Sequence, residues 1–167
     1  MRHKFVKRAK QEIIDALQQA ETKFGPNHIN TTDAMRDLAL ALASEYPDIP
    51  GHPDMEPLCR RRVEIIENHF GDESIEFSDA TFLLAQILEH SGRIEEAVPM
   101  LHQSWQLSKR LLGNDHESTW PKHLTFVCYI DEMEKSGQKY SFDLTRNSKK
   151  KPQKRRSKQE ISYGQQI

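Results

Sequence analysis

His69–Phe77 reads HFGDESIEF, and 42 residues later Leu111–Thr119 reads LLGNDHEST. Ala85 and Val127 keep the same offset, as do Pro57 and Pro99, and Phe70 and Leu112. A third copy, KFGPNHINT, occupies Lys23–Thr31, with Gly25 standing 46 residues before Gly71. Gly25 precedes Ala39 by the same 14 residues that separate Gly71 from Ala85. The extra residues therefore fall between Ala39 and Pro57, an interval that contains the turn-rich run YPDIPGHPD. An insertion confined to a loop is what a structural repeat tolerates. A period of this length means stacked supersecondary units, which bind partners more often than they catalyse.

Each period reads as two helices. Phe77, Ala80, Leu84, Ile87 and Leu88 fall at helical spacing before the breaker Ser91-Gly92. Ala97, Met100, Leu101, Trp105, Leu107, Leu111 and Leu112 form a second stripe, stopped by Gly113. Upstream, Met35, Leu38, Ala39 and Leu42 are followed by Leu58, Ile65, Ile66 and Phe70. A first helix is predicted from Phe5 to Phe24 and a last one from Ser118 to Glu134. No segment alternates as a strand would, so the predicted fold is all-α with six helices. Ala39, Ala85 and Ala97 are expected to let paired helices approach closely. Pro57 and Pro99 are expected in first helical turns, where a missing N–H costs little. Pro121 would sit awkwardly in a helix starting at Glu117, so that helix is expected to begin later or to kink.

The segment GRIEEAVPMLHQSWQLSKRLLGNDHES resembles the tetratricopeptide repeat in its 42-residue form, the form of kinesin light chains. Gly92, Arg93, Glu95, Glu96, Ala97, Pro99, Leu112, Gly113, Asp115 and His116 carry the likeness, which extends over roughly Phe5 to Gly137. It implies helix-turn-helix units stacked into a right-handed α-solenoid, the first helix of each pair lining a concave groove. It also implies a repeat domain over 1–143, leaving 144–167 as a tail.

Charge separates those two parts. Residues 144–159 hold eight Lys or Arg and no acid, so the rest of a chain of net charge −1 carries about −9. The cluster Lys149, Lys150, Lys151, Lys154, Arg155 and Arg156 lies in a run with almost no apolar residue. Such a composition cannot offset its ordering entropy, so the tail is expected to be disordered and dispensable for folding. It reads as a solubilising tail, a nuclear-import signal or a weak phosphate contact. No aromatics interleave the basic residues and the body is acidic, so nucleic-acid binding beyond weak tail contacts is not expected. Cys59 and Cys128 are isolated, which suits a reducing compartment rather than a disulfide framework. No apolar run is long enough for a membrane, and MRHKFVKRAK leads into an amphipathic helix rather than a signal sequence. The expected location is cytoplasmic, or nuclear through the tail.

Catalytic, cofactor and metal signals are lacking. His28 and His116 share one repeat position before a first helix, where a turn-shaping role is expected. The other histidines lack ligand spacing, and the neighbouring acids Glu95-Glu96 and Asp131-Glu132 do not face one another on a helix. No glycine-rich phosphate loop or nucleophile motif is present.

Function is expected on the groove. The family often places an Asn-Asn pair there to bond an extended peptide backbone. The matching positions here are Arg36-Asp37, Phe82-Leu83 and Leu124-Thr125, so that role does not carry over. The candidate surface is Arg36, Asp37, Leu40, Phe82, Leu83, Gln86 and Thr125, joined by Phe126 and Tyr129 of the last helix. It suits an apolar ligand such as an amphipathic helix, although Phe82 and Leu83 could equally pack on neighbouring helices. Val127 and Ile130 are expected to pack on the preceding pair, turning Phe126 and Tyr129 outward. A partner or a second copy would then cover them, or Tyr140 and Phe142 would fold back as a cap. The expected activity is a non-catalytic adaptor or scaffold that binds a protein. The alternative is the repeat array of a larger signalling ATPase or lysine methyltransferase.

Overall fold

The structure, a computed structural model, describes residues 2–45 and 54–135. These hold six helices and no strand: α1 (Arg2–Phe24), α2 (Thr32–Glu45), α3 (Met55–Phe70), α4 (Ile75–His90), α5 (Ile94–Leu112) and α6 (Trp120–Lys135). A 3-10 turn (Ile29–Thr31) leads into α2. The expected break at 47–53, the expected disorder of the tail with its basic cluster, and Tyr140 and Phe142 lie outside the described residues.

The repeat period becomes a stack of antiparallel helices. Each helix packs on its predecessor and its successor in the chain, from α1 to α6. One apolar core runs through all six, from Leu17 through Met35, Met55, Leu84, Leu88 and Leu101 to Phe126. A smaller cluster of Ile66, Phe77, Ala80 and Leu107 seals the junction between α3, α4 and α5. Ala39, Ala85 and Ala97 are buried, as their small size led one to expect.

The repeated glycines end the second helices. Gly71 has φ 87° and ψ 165°, and Gly113 has φ 91° and ψ 168°. That region is essentially closed to residues with a Cβ. Nothing lies within 4 Å of a Cβ added at Gly71, so a side chain there would meet backbone strain and no steric clash. Gly71→Ala should therefore lower the unfolding free energy by about 2 kcal/mol in a urea titration. A loss below roughly 0.5 kcal/mol would show that the turn relaxes into another conformation.

After the glycines, a side chain of each turn accepts a hydrogen bond from a backbone N–H at the approach to the next first helix. The His28 Nδ1 accepts a hydrogen bond from the Asn30 N–H at 3.2 Å. The His116 Nδ1 accepts one from the Ser118 N–H at 3.1 Å. In the middle copy Ser74 takes this place, its Oγ accepting from the Phe77 N–H at 3.1 Å. The histidines thus do shape the turns.

Three local expectations need correction. Pro99 is not in a first turn: α5 begins at Ile94, which makes Pro99 its sixth residue. Its missing N–H leaves the Glu95 carbonyl without a helical donor, and Pro99 is exposed, so water can reach that side of the helix. Pro57, the third residue of α3, does lie where no N–H is needed. The last helix begins at Trp120 rather than Ser118, which places Pro121 in its first turn. The third correction concerns the faces of α6. Phe126 is 7% exposed and sits in the core, whereas Val127 is 46% exposed. Tyr129 and Ile130 are both half-buried against the core.

Candidate functional site

Helix periodicity gives α2, α4 and α6 a common outward arc. On α2 it carries Asp33, Arg36, Asp37 and Leu40; on α4, Asp79, Phe82, Leu83 and Gln86; on α6, Leu124, Thr125 and Cys128. Leu40 is 48% exposed and Leu124 51%. Phe82 and Leu83 are half-buried, and each packs against the core with part of its side chain. Seven of the nine expected site residues therefore share this arc. Phe126 does not, and Tyr129 lies at its inner edge. Leu124 and Cys128 complete the arc on α6, at the repeat positions of Phe82 and Gln86.

The charges on the arc are internally paired. The Arg36 guanidinium meets Asp33 at 3.1 Å and Asp37 at 3.0 Å. These are exposed pairs and contribute little stability. Their consequence is electrostatic: the α2 end of the arc offers a compensated guanidinium rather than a free one.

Beneath the arc lies a buried polar layer that sequence reasoning missed. In the middle hairpin the Ser104 Oγ donates to the Ser78 carbonyl, and the Ser78 Oγ to the Ser104 carbonyl, both at 2.8 Å. One hairpin earlier the equivalent residues are Arg62 and Thr32, and the Arg62 Nε donates to the Thr32 carbonyl at 3.2 Å. The same bond thus recurs with a different donor. Arg62 is long and fills its junction; Ser104 is short and leaves room. Lys122 of α6 enters that room, at the repeat position where α4 has Ala80. Its Nζ donates to Asp79 at 2.6 Å, to the Ser108 Oγ at 2.6 Å and to the Ser78 Oγ at 3.0 Å. Each hairpin junction therefore holds one cation, supplied once by a second helix and once by the following first helix. Burial lowers the Arg62 pKa most, and the nearby Arg36 charge adds to it, while Cys59, Asp33 and Asp79 favour its charged form. Asp79 thus touches Lys122 and feels Arg62, which ties α3, α4 and α6 together behind the arc.

On the α5–α6 side, rings stack in sequence. Trp105 lies 5.5 Å from Phe126 and 4.6 Å from His123, and Trp120 lies 5.9 Å from His123. His102 packs 5.0 Å from Phe126, and burial lowers its pKa. This stack is what turns Phe126 inward.

A cleft of about 230 Å³ is lined by Asn27, His28, Ile29, Glu64, Ile65, Asn68 and His69. That is below the usual range for a ligand pocket, about 300–1,000 Å³. Among the described residues no group of three His, Cys, Asp or Glu could hold a metal ion. No helix among them is long and apolar enough to cross a membrane.

Comparison with known proteins agrees with the architecture. No curated protein matches the chain. Residues 83–118, from the middle of α4 through α5 to the turn before α6, match the tetratricopeptide repeat family. This is the segment whose Gly92, Ala97, Gly113 and His116 carried the resemblance. The fold is thus an all-helical repeat array, and residues 83–118 are a tetratricopeptide repeat of the kinesin light chain type.

Proposed function

We propose that this chain is a non-catalytic protein-interaction module that docks an amphipathic partner helix on the outward arc of α2, α4 and α6. The supporting observation is the chemistry of that arc. Leu40, Phe82, Leu83 and Leu124 put apolar surface on all three helices, while Arg36 is already paired with Asp33 and Asp37. A polar extended peptide would need free side-chain donors and acceptors along the groove. An amphipathic helix needs apolar contact spaced over several turns, with charge at the rim. Tetratricopeptide repeats generally mediate protein binding, which agrees with this reading. The same arc would serve whether the module acts alone as an adaptor or as the repeat array of a larger signalling protein.

Affinity capture with the full chain tests the proposal, comparing it with Leu40→Asp/Phe82→Gln. Leu40 is half in water and Phe82 only partly buried, so circular dichroism should show an intact helical fold. The variant is expected to retain a tenth or less of each partner held by the parent chain, since apolar anchors dominate such interfaces; the factor is about tenfold. Equal capture by both proteins would exclude the arc as the docking face. If the partner is a second copy, light scattering would show a parent dimer and a monomeric variant.

A further inference from the structure

Trp120, Leu124 and Val127 form one row along α6, and they are 59%, 51% and 46% exposed. The corresponding row of α4 is Ser78, Phe82 and Ala85; that of α2 is Thr32, Arg36 and Ala39. In α4 and α2 the outer members of the row, Ser78 with Ala85 and Thr32 with Ala39, are buried. The second helix of the same hairpin covers them, as the paired Ser78–Ser104 bonds show for α4 and α5. In α6 nothing among the described residues covers this row. It is also built differently. Trp and Val replace the small residues that let a second helix approach closely, so a helix could not settle at the usual distance.

We propose that the row is a docking surface for the chain's own segment 138–144, which would engage it through Tyr140, Phe142 and Leu144. The connection favours it. α4 ends at His90 and is followed by Ser91-Gly92, where Gly92 has φ 75° and the chain reverses along the α4 row. α6 ends at Lys135 and is followed by Ser136-Gly137, in the same relation to the helix end. The residue pattern favours it too. Lys139-Tyr140-Ser141-Phe142-Asp143-Leu144 alternates polar and apolar, the period of an extended strand and not of a helix. The lengths agree. Tyr140 to Leu144 would span about 13 Å extended, and Trp120 to Val127 spans about 10 Å along a helix.

The charge that follows is complementary as well. Running antiparallel to α6, the chain would bring Arg146 and Lys149 beside Asp115 and Glu117, exposed acids of the turn before α6. From Thr145 to Gln159 no apolar side chain other than Pro152 is present, so the contact ends at Leu144. The basic run would then start from a fixed point on the body. The row meets the arc proposed above for the partner at Leu124, while Trp120 and Val127 lie outside that arc.

The two tryptophans of the chain, Trp105 and Trp120, make the test direct. In a full-length Trp105→Phe background, acrylamide quenching reports on Trp120 alone. The triple change Tyr140→Ser, Phe142→Ser and Leu144→Ser should raise the quenching constant roughly twofold and shift the emission to the red. Equal quenching with both tails overturns the proposal. Protection that disappears on dilution by about a hundredfold also overturns it, because it assigns the row to a second copy. Should Trp105→Phe disturb the ring stack, 5-fluorotryptophan NMR of the otherwise unaltered chain makes the same comparison. There the Trp120 resonance must move on the triple change, and an unmoved resonance counts against the contact.

Discussion

Asp79→Ala is expected to destabilise the fold by about 3 kcal/mol, whereas Lys122→Met should cost only about 1 kcal/mol. The asymmetry follows from which partner is buried. Lys122 is 2% exposed, while the Asp79 side chain is 50% exposed. Removing Asp79 leaves an ammonium group in the interior with only the Ser78 and Ser108 hydroxyls for company. Removing the ammonium instead leaves Asp79 half in water, where it can hydrate. The methionine keeps most of the lysine's volume, and the Ser78 and Ser108 hydroxyls remain 2.8 Å apart and bond each other. The half-exposure of Asp79 places the larger loss at the low end of the range of about 3–5 kcal/mol for breaking a buried pair. Urea unfolding of the two single variants and the double variant measures this. Lys122→Met should recover part of the stability lost in Asp79→Ala, a coupling that two independent sites would not show. If Asp79→Ala costs no more than Lys122→Met, the ammonium is not held by that carboxylate.

Leu101→Ala is expected to lower stability by about 4 kcal/mol. Leu101 is 0% exposed, and its cluster includes Leu84, Leu88 and Ala97 on the two helices of the middle hairpin. The truncation removes transfer energy and leaves a cavity that rigid helix backbones cannot collapse. Position in the array adds a second effect. α5 packs on both α4 and α6, so weakening it uncouples α6 from the rest. In a stack where each unit touches only its neighbours, this should broaden the urea transition as well as shift it. Leu111, on the same helix but 46% exposed, is the control, and Leu111→Ala should cost less than about 1 kcal/mol. Equal losses at the two positions would contradict the burial pattern described above.

The repeat was legible because turns and helix ends obey local rules. A glycine with positive φ, a capping side chain and a stripe at helical spacing each act within a few residues. The recurrence of HFGDESIEF as LLGNDHEST therefore exposed the helices, their order and their breaks. The turn role of His28 and His116 was readable for the same reason: the ring bonds an N–H two residues away. The start of α5 was less readable. Nothing local marks where a helix that follows Ser91-Gly92 takes its first turn, and Pro99 was placed too near that end.

Which face of a helix meets which neighbour was set by contacts far apart in the chain. Phe126 and Val127 are adjacent and both apolar, so spacing alone could not rank them. The Trp105 and His102 rings of α5 drew Phe126 inward, whereas Val127 falls in the row of α6 that no described helix covers. Lys122 is the clearest case. A lysine at a repeat position otherwise held by alanine reads as a solvated charge. It is buried because Ser104 and Ser108, more than a dozen residues earlier, are short where Arg62 and Ile66 are long in the preceding repeat. The sequence by itself determined the repeating backbone, since helix and turn propensities act locally. Only the tertiary structure decided how the arc is charged and where the cations lie, because volume and charge at a junction are shared among three helices.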